Sequence, residues 1–189
     1  MKAWLIACLL FFPLIGFSQE IDHIHSLFHG MTENKGQWDD QVLFQSRSQK
    51  HTIWVQQHGF IFDIRDYTAL QKAHANPENG PENTDYTQTI VAAHFVGSQA
   101  VTSVEKHQPS THYYNYFLGN NQHKWATAAY SYNEAVLKDF YKGVDLKVFD
   151  DETRFKYELW CQPNSAINSI AIDYKGAKNV RLDEKGNLI

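Results

Sequence analysis

Two runs near residue 150 alternate apolar and polar side chains, and this alternation constrains the fold more than any other feature of the chain. The runs are Val144–Phe149 and Thr153–Leu159, with the acidic segment Asp150–Glu152 between them. A period of two places apolar side chains on one face of a strand and charged ones on the other. The segment therefore predicts an antiparallel β-hairpin with one wet face.

Short β-prone runs separated by turn residues recur along the rest of the chain. Strands are expected at Val42–Arg47, Thr52–Gln56 and Phe60–Arg65, with a turn at His58-Gly59, and this order suggests an antiparallel meander. Thr89–Val96 is the next expected strand. About ten short strands, frequent turn signals and little helical periodicity predict an all-β fold, specifically an antiparallel β-sandwich.

The first 18 residues have the pattern of a secretory signal peptide. Lys2 supplies a positive charge, the apolar run Ala3–Phe17 follows, and polarity begins at Ser18. A charged start, an apolar stretch and small residues before a polar break are typical of exported proteins. The run is short for a membrane span, so we expect cleavage after Ser18 and no stable span in the mature chain.

The remainder is expected to be one domain. Residues 19–33 are a lead-in, and residues 34–189 form a single β-sandwich domain. The stretch 73–88 is rich in Asn, Pro, Gly and Glu without apolar periodicity, which predicts a mobile loop. The chain stops just after the turn Asp183–Gly186 has started a new strand, so we expect a domain truncated at its C-terminal end.

Charge and cysteine content argue against a basic nucleic-acid-binding domain and against a domain stabilised by disulfides. The formal net charge is −4, so a basic nucleic-acid-binding domain is not expected. After signal cleavage Cys161 is the one remaining cysteine, which excludes an intrachain disulfide. Its position at the end of an alternating strand predicts a buried structural thiol.

Aromatic side chains are the best candidates for a binding site. Trp125, Tyr114 and Tyr116 are the predicted ligand-binding residues, because flat aromatic faces stack on sugar rings. The alternative is that these rings belong to the hydrophobic core, which is the more common role of large aromatics in a domain without disulfides.

Histidines offer weaker candidates. His23, His25 and His29 form an H-x-H-x3-H pattern near the mature N-terminus, and neutral imidazoles at this spacing could bind zinc or copper. No cysteine lies nearby, so we expect no metal and no cofactor. His107 and His112 flank a Pro-Ser-Thr segment, which favours a loop.

Carboxylates cluster around the predicted hairpin, at Asp145, Asp150, Asp151 and Glu152. Such a cluster could bind calcium or supply the acid and base of a glycosidase. The last three residues, however, occupy a solvated turn, where acidic side chains are expected simply to face water. Asp145 lies within a strand and is expected to pair with a cross-strand Lys or Arg, for example from residues 154–156.

A series of motifs resembles one protein family. The first is Asn34-Lys35-Gly36-Gln37-Trp38, in which Gly36 permits a positive φ. The later motifs are His58-Gly59-Phe60, Tyr114–Gly119 followed by Trp125, Tyr141–Leu146, Phe155–Leu159 and Ile170–Ala177. In order and spacing, over roughly residues 29–189, they resemble an uncharacterised domain at the N-terminus of large secreted Bacteroidota-type proteins.

The resemblance implies a setting rather than a chemistry. Many proteins of that family carry beta-propeller (SBBP) or immunoglobulin-like repeats downstream and end in a gliding-motility-associated or type IX secretion sorting domain. It implies that the partners include downstream domains of the same longer chain. It implies an extracellular or cell-surface location if a sorting domain follows, and a periplasmic one otherwise. No catalytic residues are carried over.

The expected function is that of a non-catalytic structural or interaction module in a secreted or cell-surface, adhesin-like multidomain protein. Surface polysaccharide or protein is the expected external partner, and nucleic acid is not. The alternatives are a carbohydrate-binding module and a secreted hydrolase domain. No G-x-S-x-G, Walker, H-E-x-x-H or C-x-x-C motif occurs, so no residue is predicted to be catalytic.

Overall fold

The computed structural model describes residues 30–48, 50–68, 86–151 and 154–189. In these ranges the chain forms ten β-strands and two short 3-10 helices, Gln122–Lys124 and Ile167–Ser169. The predicted all-β class is confirmed. The strands are β1 Met31–Glu33, β2 Val42–Arg47, β3 His51–Gln56, β4 Gly59–Asp66, β5 Thr87–Val96, β6 Val104–Tyr116, β7 Ala126–Tyr141, β8 Val144–Asp151, β9 Arg154–Cys161 and β10 Ala171–Lys175.

The strands form one curled antiparallel sheet. Their order is β10-β5-β4-β3-β2-β1-β7-β8-β9, and β6 pairs with β7 outside this path. The predicted meander is confirmed, because β2, β3, β4 and β5 are consecutive neighbours. The predicted hairpin is confirmed as β8 and β9, which pair from Val144 opposite Cys161 to Asp151 opposite Arg154.

The long strand β7 is where the sheet curls. β6 follows one side of β7, whereas the other side is divided between β1, which pairs with residues 131–132, and β8, which pairs from Glu134 onward. Two β7 residues, Ala128 and Asp139, have a φ of 52° and 53°. Such irregularities bend a strand and increase its twist, so one strand can belong to two differently oriented parts of a sheet.

The hydrophobic core lies inside the curl. The ring of Phe60 on β4 is 5.4 Å from Phe155 and 5.0 Å from Tyr157, both on β9. The ring of Phe95 on β5 is 5.2 Å from Phe140 on β7. Each such aromatic pair adds about 0.5–1.5 kcal/mol beyond area burial. The central cluster comprises Met31, Phe44, Val55, Phe60, Phe95, Ala135, Leu137, Phe140, Leu146 and Val148.

The strand β6 corrects one expectation. His107 and His112 were expected in a loop, but both lie on β6, which has 13 residues. Pro109 between them cannot donate a backbone hydrogen bond, and prolines inside sheets occur at bulges or edges. Here the register shifts between Pro109 and Tyr113, and Gln108 has a φ of 53°, so an irregularity accommodates the proline without ending the strand.

Some predicted segments lie outside the described residues. These are the signal peptide over residues 1–18 and the lead-in as far as residue 29, whereas Met31–Glu33 of the lead-in forms β1. The loop predicted over 73–88 is described only from residue 86, and β5 begins at Thr87. Within the described ranges, no helix has the length and apolar character needed to cross a membrane.

Candidate functional site

A row of side chains crosses the face of the sheet that points away from the core. Trp54, Gln45, Thr32 and Ser131 are successive cross-strand partners on β3, β2, β1 and β7. Directly opposed residues share a face, whereas adjacent residues of a strand point to opposite faces. Because the neighbouring Phe44 belongs to the core, this row lies on the outer face.

The centre of the row is a buried pair of hydroxyl groups. Oγ1 of Thr32 and Oγ of Ser131 are 2.8 Å apart, and the two residues are only 8% and 2% exposed. Thr32 also hydrogen-bonds the side chain of Tyr116. A buried hydroxyl without a partner costs about 1–3 kcal/mol, so these mutual bonds allow polar groups to form the floor of a site.

A β-bulge lies beside Tyr114 and Tyr116, the two tyrosines above this floor. Between the pairs that Tyr114 and Tyr116 make with β7, that strand holds one residue more than β6 does. Ala128 lies in this bulge with its positive φ, and its N–H donates to Oδ1 of Asn115 at 3.0 Å. Tyr114 and Tyr116 share a face because they are two residues apart on β6. The extra residue lets Ala126 and Ala129, which are three residues apart on β7, pair with both of them.

The motif Asn34–Trp38 forms the connection between β1 and β2. Oδ1 of Asn34 accepts hydrogen bonds from the N–H groups of Gly36 at 3.0 Å and Trp38 at 3.3 Å. Gly36 has a φ of 105°, which confirms the positive φ anticipated there. The turn brings Trp38 edge-on to Trp54 at 5.3 Å and to Tyr116 at 5.4 Å. This motif therefore places Trp38 in contact with both Tyr116 and Trp54.

These elements surround a cavity of about 180 Å³, here named the tyrosine cavity. It is smaller than the roughly 300–1,000 Å³ typical of drug-sized ligand sites, so it suits a single ring or polar group. Most of its lining side chains are polar or aromatic. The lining residues are Gly30, Thr32, Gln45, Arg47, Tyr114, Tyr116 and Ser131.

The tyrosine cavity offers neutral hydroxyls and one cation. Burial raises the pKa of Tyr114, and burial followed by the nearby Tyr114 raises the pKa of Tyr116. Both phenols are therefore protonated at neutral pH and can donate as well as accept a hydrogen bond. The exposed Arg47 contributes a positive charge, and the described residues of the lining include no Asp or Glu.

Two of the three predicted ligand-binding residues meet at this cavity. Tyr114 and Tyr116 line it, but Trp125 does not. Trp125 instead packs edge-on against Phe117 at 5.7 Å, and its Nε1–H donates to the carbonyl oxygen of Gly119 at 3.2 Å. Trp125 remains 39% exposed, so it is a surface aromatic residue of the neighbouring turn.

The polar lining residues were missed from the sequence. Gln45 and Arg47 alternate along β2 with Phe44 and Ser46, which are buried. That alternation is a usable signal for an outward-facing polar pair. It does not say what the pair meets, because the hydroxyl pair of Thr32 and Ser131 joins residues 99 positions apart.

A second and more open cavity, of about 400 Å³, lies beside Glu33 and Lys106. Lys106 forms an ion pair of 2.7 Å with Glu33, whose other carboxylate oxygen accepts the N–H of Tyr130 at 3.1 Å. The Lys106 ammonium also lies 5.1 Å from the ring centroid of Tyr132. Glu33 and Lys106 in this second cavity therefore already have protein partners.

The predicted metal candidates His23, His25 and His29 lie outside the described residues. Within the described ranges, no group of three His, Cys, Asp or Glu side chains is close enough to hold a metal ion. Cys161 corrects a prediction, because its side chain is exposed rather than buried. It ends β9, beyond the part of that strand whose Tyr157 packs against Phe60 and Phe95.

The prediction that Asp145 pairs with a cross-strand Lys or Arg is confirmed, although the base is not one of residues 154–156. The Asp145 carboxylate binds Lys138 of β7 and also accepts the Asp139 N–H at 2.8 Å, rather than pairing with a base on β9. The reason lies in the register, since the residue of β9 opposite Asp145 is Trp160. This carboxylate therefore fastens β8 to the irregular end of β7.

The comparisons with known proteins give a family but no characterised relative. Nothing matches the chain among curated proteins or among solved structures. One family model, a domain of unknown function designated DUF7948, matches residues 31–189. This range includes every strand that builds the tyrosine cavity. The chain therefore belongs to the DUF7948 family.

Proposed function

We propose that this domain is a non-catalytic interaction module that binds carbohydrate in the tyrosine cavity. The single observation that supports this proposal is the cavity itself, in which Tyr114 and Tyr116 stand over the hydroxyl pair of Thr32 and Ser131. Apolar walls with a few well-placed polar groups are the usual construction of a ligand site. The role combines the expected interaction module with its carbohydrate-binding alternative.

The chemistry of the lining suits a sugar ring. The two phenol rings provide apolar surface for the carbon skeleton, and aromatic rings contribute large contact areas at low entropic cost. The hydroxyls and the Gln45 amide provide donors and acceptors for sugar hydroxyl groups. A cavity of about 180 Å³ accepts one sugar unit of a longer chain.

The proposed setting is an exported multidomain protein. The apolar segment at residues 3–17 supports export. The motif resemblance to secreted Bacteroidota-type proteins with SBBP repeats or type IX sorting domains supports a cell-surface or extracellular role, including adhesion or gliding. Downstream domains of the same chain are the proposed intramolecular partners. Without a sorting domain, the proposed location is the periplasm.

Tryptophan fluorescence offers a direct test, since the ring of Trp38 lies 5.4 Å from that of Tyr116 and 5.3 Å from that of Trp54. The protein should be titrated with a panel of soluble neutral and acidic oligosaccharides, with calorimetry as the second readout. We expect saturable binding by at least one saccharide. Tyr114→Ala should weaken that binding by about tenfold or more, as removal of a central aromatic contact usually does.

Tyr113→Ala is the matched control. Tyr113 is the neighbouring residue on the same strand, is 53% exposed and does not line the cavity. Its removal should leave saccharide affinity unchanged. Absence of binding across the panel, or equal losses in the two variants, would overturn the carbohydrate proposal.

A further inference from the structure

The cation of the tyrosine cavity has no counter-ion among the residues that the structure describes. Arg47 lies two residues after Gln45 on β2, on the same outward face, and its cross-strand partner on β3 is Thr52. Among the ion pairs of the described residues, none includes Arg47, whereas Arg65 pairs with Asp63 and Lys147 with Glu134. The positive charge of Arg47 is therefore uncompensated beside the cavity.

The lining reinforces this asymmetry of charge. Apart from Arg47, the side chains that the described lining residues contribute are a neutral amide, hydroxyls and phenols. The carboxylate of Glu33, on the strand that also carries Thr32, is occupied by Lys106 at 2.7 Å. A cavity with one free cation and no anion favours a ligand that brings a negative charge.

The shape of the guanidinium narrows the choice of anion. Arginine presents a planar fork of N–H donors that matches a planar carboxylate through two parallel hydrogen bonds. Next to this fork, the phenols of Tyr114 and Tyr116 leave room for a ring, and the Thr32 hydroxyl lies on the floor. A ring that carries a carboxylate satisfies both features at once.

We infer that the tyrosine cavity selects acidic saccharides, with Arg47 binding the carboxylate of a uronic acid unit. This inference rests on the proposed carbohydrate function and names its substrate class. Arg47 is then the specificity-determining residue, while Tyr114 and Tyr116 contact the sugar ring. A sulfate ester shares the negative charge but is tetrahedral, so it should fit the fork less well.

The test compares trigalacturonate with its methyl ester, in which each carboxylate is replaced by a neutral ester group. Affinities are measured by calorimetry on the full chain. We expect the wild-type protein to prefer the acid by about tenfold or more, which is the difference that one good charged hydrogen-bond pair makes. Arg47→Gln should bring this acid-to-ester affinity ratio close to one. Arg47→Lys should give an intermediate ratio, because lysine keeps the charge but loses the fork.

Arg181→Gln is the charge-matched control, since Arg181 is exposed and lies far along the chain, outside the cavity lining. It should keep the wild-type ratio. An acid-to-ester ratio near one in the wild-type protein, with saccharide binding still lost in Tyr114→Ala, would overturn the role of Arg47 and leave carbohydrate binding intact. Binding of neither ligand would overturn the uronic acid assignment, whereas absence of binding across the whole saccharide panel would overturn both proposals.

Two further ligands distinguish other sources of negative charge. Tighter binding of a sulfated trisaccharide than of trigalacturonate would overturn the carboxylate assignment. Equal or tighter binding of pentaglutamate would overturn the saccharide class in favour of an acidic peptide. Weaker binding of both, together with loss of trigalacturonate binding as salt is raised, would support the proposal.

Discussion

Gly176 and Gly186 show how the surroundings of one residue decide whether a side chain is tolerated. Their φ angles are nearly equal, at 83° and 81°. A Cβ added at Gly176 would lie 2.2 Å from the carbonyl oxygen of Ile90, whereas one added at Gly186 would have nothing within 4 Å. Only the first position combines an unfavourable φ with a backbone clash.

We therefore expect Gly176→Ala to lower the free energy of unfolding by roughly 2–4 kcal/mol, because β5 and the end of β10 must move apart. Gly186→Ala should cost about 1 kcal/mol, the usual penalty for a left-handed φ in a residue with a Cβ. Urea denaturation followed by tryptophan fluorescence gives both values. Equal losses would contradict the steric explanation.

Individual residue roles were only partly predictable. The positive φ of Gly36 followed from its place in a turn motif, which is local information. Cys161 was wrongly predicted to be buried, and the cross-strand partner of Asp145 lies on β7 rather than on the strand suggested as an example. Both depend on where a strand lies relative to the rest of the sheet. Tyr114 and Tyr116, predicted as ligand-binding residues, line the same cavity, whereas the hydroxyl pair beneath them was not predicted.

At the scale of elements, hairpins were the most predictable feature. β8 and β9 follow from alternation and an acidic turn, both visible within 20 residues or so of sequence. The bulge at Ala128, where β7 pairs with β6, could not be predicted. Its positive φ is usually signalled by Gly or Asn, and the sequence has Ala there. Its signal is the Asn115 side chain on the neighbouring strand, which is recognisable only once the pairing is known.

The bulge leads to a prediction about Asn115. Asn115→Ala removes the acceptor for the Ala128 N–H, so we expect a loss of about 1 kcal/mol in unfolding free energy. Tyr114 and Tyr116 pair with β7 on either side of this bulge, so a change in its shape should shift them and lower the affinity for saccharide as well. Asn115→Asp keeps an acceptor oxygen at the same position and should retain most of both properties.

Urea denaturation and the saccharide titration measure these two effects in the same preparations. Equal behaviour of Asn115→Ala and Asn115→Asp would show that the hydrogen bond is not what holds the bulge. Unchanged saccharide affinity in a destabilised Asn115→Ala variant would show that the bulge does not determine the positions of Tyr114 and Tyr116.

For the whole molecule, the curl of the sheet is the feature that no local pattern indicates. It depends on β1 pairing with β7 and β10 pairing with β5, both of which join distant parts of the chain. Composition and strand count were sufficient to predict the all-β class. The curl of the single sheet around its core depends on contacts between residues that are far apart in sequence. Tyr157 lies inside this curl, 5.0 Å from Phe60 and 5.8 Å from Phe95.

The free energy of unfolding should fall at alkaline pH. Burial, followed by the nearby Tyr174, raises the pKa of Tyr157 from 10.0 to about 12. Between these values the unfolded chain ionises this phenol while the folded chain keeps it neutral. The stabilisation is thus complete below pH 10 and is lost as the pH rises towards 12.

Tyr157→Phe keeps the ring and removes the ionisable group. We expect the urea midpoint of the wild-type protein to fall more steeply between pH 10 and 12 than that of the variant. Tyr113→Phe, which removes an exposed phenol, should keep the wild-type slope. Parallel slopes in all three proteins would contradict this account.

The use of opposite faces of the same strands has an evolutionary consequence. Along β2, Phe44 and Ser46 are buried, while Gln45 and Arg47 line the cavity. Neighbouring codons therefore come under different constraints, one set from the hydrophobic core and the other from the cavity lining. Exchange of every second residue along such a strand can change the cavity while the core and the fold stay the same.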